Sequence, residues 1–365
     1  MKNQKEILKL LKALVSFESD INNPKEKQNI VEYCLQWLRQ NKISVKKYNH
    51  PHSPSFVASL KGDLEETILF VLHLDIVPAS KKMFKLQQTN KKLIGRGVID
   101  DKGPSAITML LLKQLKLNKT KNIPNIQAVF TTDEEVGGRD GIGKLMKKNI
   151  FNKADAVIIL DSGKHNTVVC REKGVIHLTL ETKGKASHGA YPWEGQNAID
   201  KMLDIYVEIK KIFIPQKLEK NHWHPTINIG FISGGQTINQ VPDQARMGLD
   251  IRFTEKENLV QLENKIKKII KNKAKIIDMV SDDVFCSDEN HPLIKKYCQI
   301  VGQEINCKIN ISSEHGSTSA KYFKHFKKPV WLHYPKGGKL HSENEWVDLE
   351  YLEKMLDGLL KFIAK

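Results

Sequence analysis

Five short segments of this chain each place acids or histidines just past an apolar run that ends in a loop, and that recurrence limits the folds open to it. The segments read ILFVLHLDIVP (68–78), GRGVIDDKGP (95–104), AVFTTDEEVGG (128–138), AVIILDSG (156–163) and GGKLHSENEW (337–346). The polar side chains are His73, Asp75, Asp100, Glu134, Glu135, Asp161 and His341. Four of the five follow a buried-strand pattern, aliphatic and β-branched residues bounded by turn formers. In an open parallel sheet, ligand groups gather at the carboxyl ends of the strands. Polar residues that abruptly close separate apolar runs are therefore expected to be neighbours in space.

The segments between these runs are helical in pattern. Residues 5–40 read as one helix or a pair broken near 22–24, followed by short strands at 43–48 and 56–60 and a buried strand at 67–72. A helix opens after Gly103-Pro104, since proline suits a first helical turn, and runs along the Leu110–Leu115 face. A strand at 126–131, a helix near 141–148 and a strand at 156–160 continue the alternation, which predicts an α/β fold with a mostly parallel sheet and helices on both faces. After Lys173 the pattern changes. A period-two strand at 175–181, a helix at 197–213, strands at 226–232 and 245–253, a helix at 255–272 and a strand at 275–280 give the order β-α-β-β-α-β, a ferredoxin-like unit. A helix at 292–304, a strand at 329–334 and a final helix at 348–363 then restore the first pattern. The expected division is a main domain at 1–173 and 284–365, with an inserted domain at 174–283.

Bulk properties exclude several classes. Lysines alternate with Ile7, Leu8, Leu11, Leu14 and Val15 at the N-terminus, an amphipathic helical face unlike a signal peptide. The longest apolar stretch, around Ala106–Leu112, is too short to span a bilayer. Five cysteines (34, 170, 286, 298 and 307), odd in number and without a C-x-x-C pair, fit a reducing cytoplasm better than a disulfide framework. The net charge of +16 could attract nucleic acid. Only six of the 58 basic residues are arginine, however, and the lysines spread along the whole chain with no nucleic-acid module or aromatic interleaving. A lysine-rich composition is the reading taken, with no nucleic-acid and no membrane partner; an acidic substrate is compatible with it.

Carboxylates and imidazoles without thiolates suit zinc, with cobalt or manganese as alternatives. Two metals about 3.5 to 4 Å apart need a bridging carboxylate, and Asp100 is the natural one. At this point the sequence resembles the zinc metallopeptidase family that includes succinyl-diaminopimelate desuccinylase, acetylornithine deacetylase, carboxypeptidase G and cytosolic dipeptidases. HLDIVP is similar to its H-x-D-x-V-P motif, GRGVIDDKG to G-R-G-x-x-D-x-K-G, TTDEEVGG to D-E-E-x-G, and LHSENEWV to its C-terminal metal-histidine segment. The resemblance covers nearly the whole chain.

That resemblance implies a zinc exopeptidase-like fold whose inserted domain serves as lid and dimerisation domain. It implies two zinc ions, one held by His73, Asp100 and Asp161, the other by Asp100, Glu135 and His341. Asp75 would orient the His73 ring, Glu134 would be the general base, and a cis peptide would follow the bridging aspartate, between Asp100 and Asp101. GKASHGAYP (184–192) resembles the motif whose histidine, here His188, reaches the partner subunit's site and stabilises the oxyanion. NQVPDQARMGLDIRF (239–253) resembles a substrate-gripping motif, with Asn239 and Arg252 in the binding roles. An arginine fork suits a carboxylate because it donates two parallel hydrogen bonds. The pair His222 and His224, without nearby acids, is read as a loop. One segment departs from the family: HGSTSAKYF (315–323) carries Ser319 and Lys321 where many relatives have Asp and Arg, and Asp161 stands where desuccinylases usually have Glu. The expectation is a cytoplasmic, homodimeric, metal-dependent hydrolase of an amide or peptide bond in a small carboxylate-bearing substrate, a desuccinylase-like N-acyl amino acid deacylase. A dipeptidase or carboxypeptidase is the near rival. An inactive binding protein on the same fold is the distant one, and it would be expected to have lost ligands.

Overall fold

The computed structural model describes residues 2–50, 52–214 and 221–364, which fall into two compact units. Among these residues the first unit takes the chain up to Arg171, Ser287–Glu314 and the chain from Thr318 onward. The second takes Glu172–Cys286 together with His315–Ser317.

The first unit is built on a mixed sheet. Its centre is four parallel strands in the order Asn125–Thr131, Thr67–His73, Ala156–Ile159 and Val330–His333. Side chains of both parities are buried there, Ile68, Phe70 and Leu72 as well as Leu69 and Val71, as befits strands covered on two faces. Only this centre matches the expected mostly parallel sheet. On one flank Ser55–Leu60 and then Ser44–Tyr48 run antiparallel, because the short 49–54 connection permits a hairpin and no crossover. On the other flank Thr167–Glu172, a strand with no counterpart in the sequence reading, runs antiparallel to Val330–His333. The 160–166 turn before it is likewise too short for a parallel return.

Helices cover this sheet for reasons visible in their composition. Lys102–Leu117 is buried along most of its length, as an all-round apolar run such as AITMLLL requires. Lys2–Val15, Pro24–Gln40 and Leu349–Ile363 each bury one stripe, for example Ile7, Leu11 and Leu14, or Leu352, Met355 and Leu359. The break between the first two comes where Asn23 caps the second, its side chain accepting the Glu26 N–H, with Pro24 in the first turn. A small antiparallel sheet, in the order Gly337–Gly338, Trp346–Asp348, Lys92–Ile94 and Gln87–Thr89, ties the segment before Asp100 to the segment holding His341.

The second unit runs Gly174–Lys183, helix Ala198–Ile212, Thr226–Gly234, Gln244–Phe253, helix Leu259–Ile270 and Lys275–Asp282. Its strands form one antiparallel sheet in which Gly174–Lys183 and Gln244–Phe253 are central. Met202, Ile205 and Ile209 from one helix and Leu262, Ile266 and Ile270 from the other pack with Ile176, Leu178, Met247 and Ile251 of the sheet. No helix among the described residues is long and apolar enough to cross a membrane.

Candidate metal centre

Strand register in the first unit brings the candidate ligands together. Val71 and Leu332 both pair with Ile159 on the strand between them. Two residues further along the two parallel strands stand His73 and Asp161. Glu134 and Glu135 open a short 3-10 turn, Glu134–Val136, just beyond the neighbouring strand Asn125–Thr131. Asp100 follows the buried Val98 and Ile99, and the peptide between Asp100 and Asp101 is cis. His341 adopts a left-handed backbone, φ 58°, a conformation that non-glycine residues seldom hold without support from their surroundings.

Asp100 lies between two imidazoles. Its Oδ1 is 3.0 Å from His73 Nε2 and its Oδ2 is 3.1 Å from His341 Nε2. His341 Nε2 is also 3.4 Å from Glu135 Oε2. Ligand atoms of His73, Asp100 and Glu135 fall within 4.8 Å of one another, and so do those of His73, Glu134 and Asp161. Glu134 thus reaches the same cluster as Asp161, and His73 belongs to both groups. Asp75 approaches the His73 ring in two ways. Its backbone carbonyl is 3.1 Å from Nδ1, closer than its carboxylate Oδ1 at 3.6 Å, while Oδ2 accepts the Glu135 N–H at 2.9 Å. Asp101, buried, takes the His73 N–H on Oδ2 at 3.1 Å.

The charges of this cluster settle into two kinds. Burial works against a protonated His73, yet hydrogen bonds to Asp100 and Asp75 outweigh it and hold the imidazole well above its ordinary range. Hydrogen bonds to Asp100 and Glu135 bring His341 up to about 10. Burial would raise Asp100, but the two imidazoles win and lower it. The other acids go the opposite way. Burial, reinforced by Asp75, Glu135 and Asp100, pushes Glu134 up to about 8, and burial raises Glu135 and Asp161 as well. A surplus of converging carboxylates that retain protons is the donor chemistry of a divalent cation site, since a cation would supply the missing positive charge. The donors are imidazole nitrogens and carboxylate oxygens throughout, and they fit zinc, cobalt or manganese.

The residues expected to bind substrate fall in the other unit. His188, Asn239 and Arg252 all belong to the second unit. The segments of His188 and Asn239 are hydrogen-bonded neighbours, the Gly189 N–H donating to the Asn239 carbonyl at 2.7 Å. Arg252 is not with them. It sits at the far end of Gln244–Phe253, opposite Val175, with Nε donating to Asp250 Oδ1 at 2.8 Å. His222 and His224 are in neither candidate metal group; His224 Nδ1 faces the Pro225 carbonyl at 2.9 Å. The unusual 315–323 segment divides between the units. His315 packs on Trp223, ring centroids 5.8 Å apart, whereas Tyr322 donates to the Gly137 carbonyl, next to the Glu134–Val136 turn.

Three residues that the sequence reading passed over belong to this neighbourhood. Arg96 Nη1 and Glu345 Oε2 form an ion pair at 2.6 Å with side chains only 3% and 1% exposed, and Glu345 Oε1 accepts the Ile99 N–H at 3.2 Å. Tyr334, one residue past Val330–His333, is buried, and burial with the charges of Asp100, Asp161, Asp101 and Glu345 raises its phenol well above the ordinary range. Arg96 was signalled by its place in an arginine-poor chain, and Tyr334 by closing the apolar run VWLHY. Glu345, one acid among several after His341, carried no such mark.

The model of peptidase family M20/M25/M40 matches residues 69–365. The chain is 26% identical over 380 residues to a succinyl-diaminopimelate desuccinylase of Rickettsia bellii, covering 97% of this chain and 95% of that protein. Its fold overlays a family metallo-carboxypeptidase of Sulfolobus solfataricus with a TM-score of 0.84 at 17% identity, over 98% of each chain. A dinuclear metal-binding peptidase of Bacillus subtilis overlays with a TM-score of 0.69 at 14% identity, over 99% of this chain and 97% of that one. At such identities the two structures speak for the fold.

Proposed function

Because the chain belongs to peptidase family M20/M25/M40 and is therefore a hydrolase of peptide or amide bonds, we propose that it is a two-zinc deacylase of small N-acyl amino acids, desuccinylase-like in substrate. The observation that carries the two-metal reading is Asp100, each of whose oxygens faces a different imidazole. In that reading His73, Asp100 and Asp161 hold one ion, and Asp100, Glu135 and His341 hold the other. The likeness of a Bacillus subtilis relative described as dinuclear supports the count. Bound metal supplies Lewis-acid polarisation of the scissile carbonyl and makes water acidic enough to attack at neutral pH.

The chain's own groups do the rest. Glu134, at the strand-end turn among the same buried cluster, takes a proton from the attacking water and returns it to the leaving amine, since bound cations would supply the positive charge that keeps its carboxylate ionised. Asp75 steadies the His73 ring through its carbonyl and carboxylate, an outer contact that metal-binding histidines usually need. His188 donates to the oxyanion. Asn239 and Arg252 grip the substrate. Asn239 lies in the turn before Gln244–Phe253 and Arg252 near the far end of that strand, eight residues or about 27 Å beyond Gln244 at 3.4 Å per residue, a spread too long for one small molecule to be held by both from a single chain. That separation supports a homodimer in which each second unit serves two sites. The β-α-β-β-α-β order of the unit supports its reading as a ferredoxin-like insertion, and the five cysteines without a C-x-x-C pair support a cytoplasmic location.

Near full-length coverage of the desuccinylase favours an N-acyl substrate; Ser319 and Lys321 in the 315–323 segment weaken a standard desuccinylase reading and leave a dipeptide as the rival. Metal-loaded protein offered N-succinyl and N-acetyl amino acids beside dipeptides decides between them. A higher kcat/KM on N-succinyl compounds is expected. Preference for dipeptides would overturn the acyl reading, and no turnover at full metal content would favour the inactive binding protein.

A further inference from the structure

Tyr334 continues the row of ligands across a third strand. Val71, Ile159 and Leu332 form one rung across three adjacent parallel strands; two residues onward come His73, Asp161 and Tyr334. Side chains two apart on a strand share a face, so the register points the phenol toward Asp161. The tyrosine is 4% exposed. Among the described residues its hydroxyl, shut off from solvent, has no hydrogen-bond partner. A buried hydroxyl without a partner is unfavourable, and in native proteins such a group usually has a reason. The acids around it are Asp100, Asp101, Asp161 and Glu345. Glu345 already accepts the Ile99 N–H and Asp100 is engaged by both imidazoles. Asp101 takes the His73 N–H on Oδ2 while its Oδ1 is also buried without a partner, so it is the strand register, which sets Tyr334 beside Asp161, that singles out Asp161.

We propose that Tyr334 is a positioning residue of the metal centre, whose hydroxyl donates to the Asp161 carboxylate when that carboxylate turns to hold a cation. The inference rests on the two-metal reading. A ligating carboxylate has one oxygen to spare for a donor, and a hydrogen bond there fixes which oxygen faces the metal. In the metal-free chain the same hydroxyl is a burden, so removing it has opposite effects on the two forms.

Tyr334→Phe keeps the ring and deletes only the donor. Full-length protein stripped with chelator is melted, then titrated with zinc by calorimetry, alongside wild type. The expected result is a metal-free melting temperature equal to or above wild type, together with an approximately tenfold loss of affinity in one of the two zinc steps. The other step keeps its affinity. A role in packing alone would leave both zinc steps unchanged, which overturns the proposal. Equal weakening of both steps would assign the hydroxyl to the shared Asp100 and overturn it too, as would a lowered metal-free melting temperature with zinc affinity intact. Wild-type protein that takes up no zinc would sink the two-metal reading itself, and that result is read without the variant.

Discussion

The Arg96–Glu345 pair is the most consequential contact outside the ligand set, because it joins the segment of His341 to the backbone just before Asp100. Both partners are almost wholly buried and 2.6 Å apart, and Glu345 also receives the Ile99 N–H. Removing one member of such a pair costs about 3 to 5 kcal/mol. The two halves are not equivalent. Arginine cannot shed its proton, whereas Glu345, which burial already raises despite Arg96, can take one up. Glu345→Leu therefore belongs at the upper end of that range and Arg96→Met at the lower end. With both replaced no charge is stranded, and the chief remaining loss is the acceptor of the Ile99 N–H, about 1 to 3 kcal/mol. With singles of about 3 and 5 kcal/mol against about 1 to 3 for the double, the double variant should thus be more stable than the sum of its parts by about 5 to 7 kcal/mol. Urea denaturation of the metal-free proteins, followed by circular dichroism, measures all four corners of the cycle. Single variants within about 0.5 kcal/mol of wild type, or strict additivity in the double, would refute the reasoning.

Metal-free protein should lose stability as pH rises. Glu134 sits at about 8 against an ordinary 4.5, and His341 at about 10 against 6.5, so the folded state holds protons that the unfolded chain has released. The Glu134 contribution is lost between pH 4.5 and 8 and that of His341 between 6.5 and 10, both with the same sign; a urea midpoint in chelator that is higher at pH 8.5 than at pH 5.5 would contradict this. Glu134→Ala should abolish turnover, a barrier rise of several kcal/mol, with zinc content nearly intact; zinc lost in proportion to activity would mean that Glu134 is a ligand and not the base. Mixing inactive His188→Ala with inactive Glu134→Ala chains should restore activity after subunit exchange, since one site of each hybrid dimer then has both groups. Hybrids that stay dead despite proven exchange, or a monomer on ultracentrifugation, would place His188 in its own chain's chemistry or in none.

Local pattern carried much of the architecture. The strand expected at 126–131 is Asn125–Thr131, and the helix expected at 292–304 is Pro292–Glu304, because burial on two faces or on one stripe writes itself into short windows of sequence. Thr167–Glu172 escaped because TVVCRE is short, and its pairing with Val330–His333 depends on residues far along the chain. The site divides along the same line. Acids and histidines that close apolar runs, such as His73, Asp161 and the Glu134–Glu135 pair, declare themselves by the abrupt polar stop. Groups that act across the fold do not. Glu345 meets Arg96 only because the small sheet pairs Trp346 with Ile94, and the Asp75 carbonyl comes nearer to His73 than the carboxylate that sequence would nominate. Tyr334 falls between the two cases, a polar residue closing an apolar run like the ligands, but uncharged and hence easily read as core. In this chain charge exposes the residues that would hold a cation, while register reveals the residues that hold those residues.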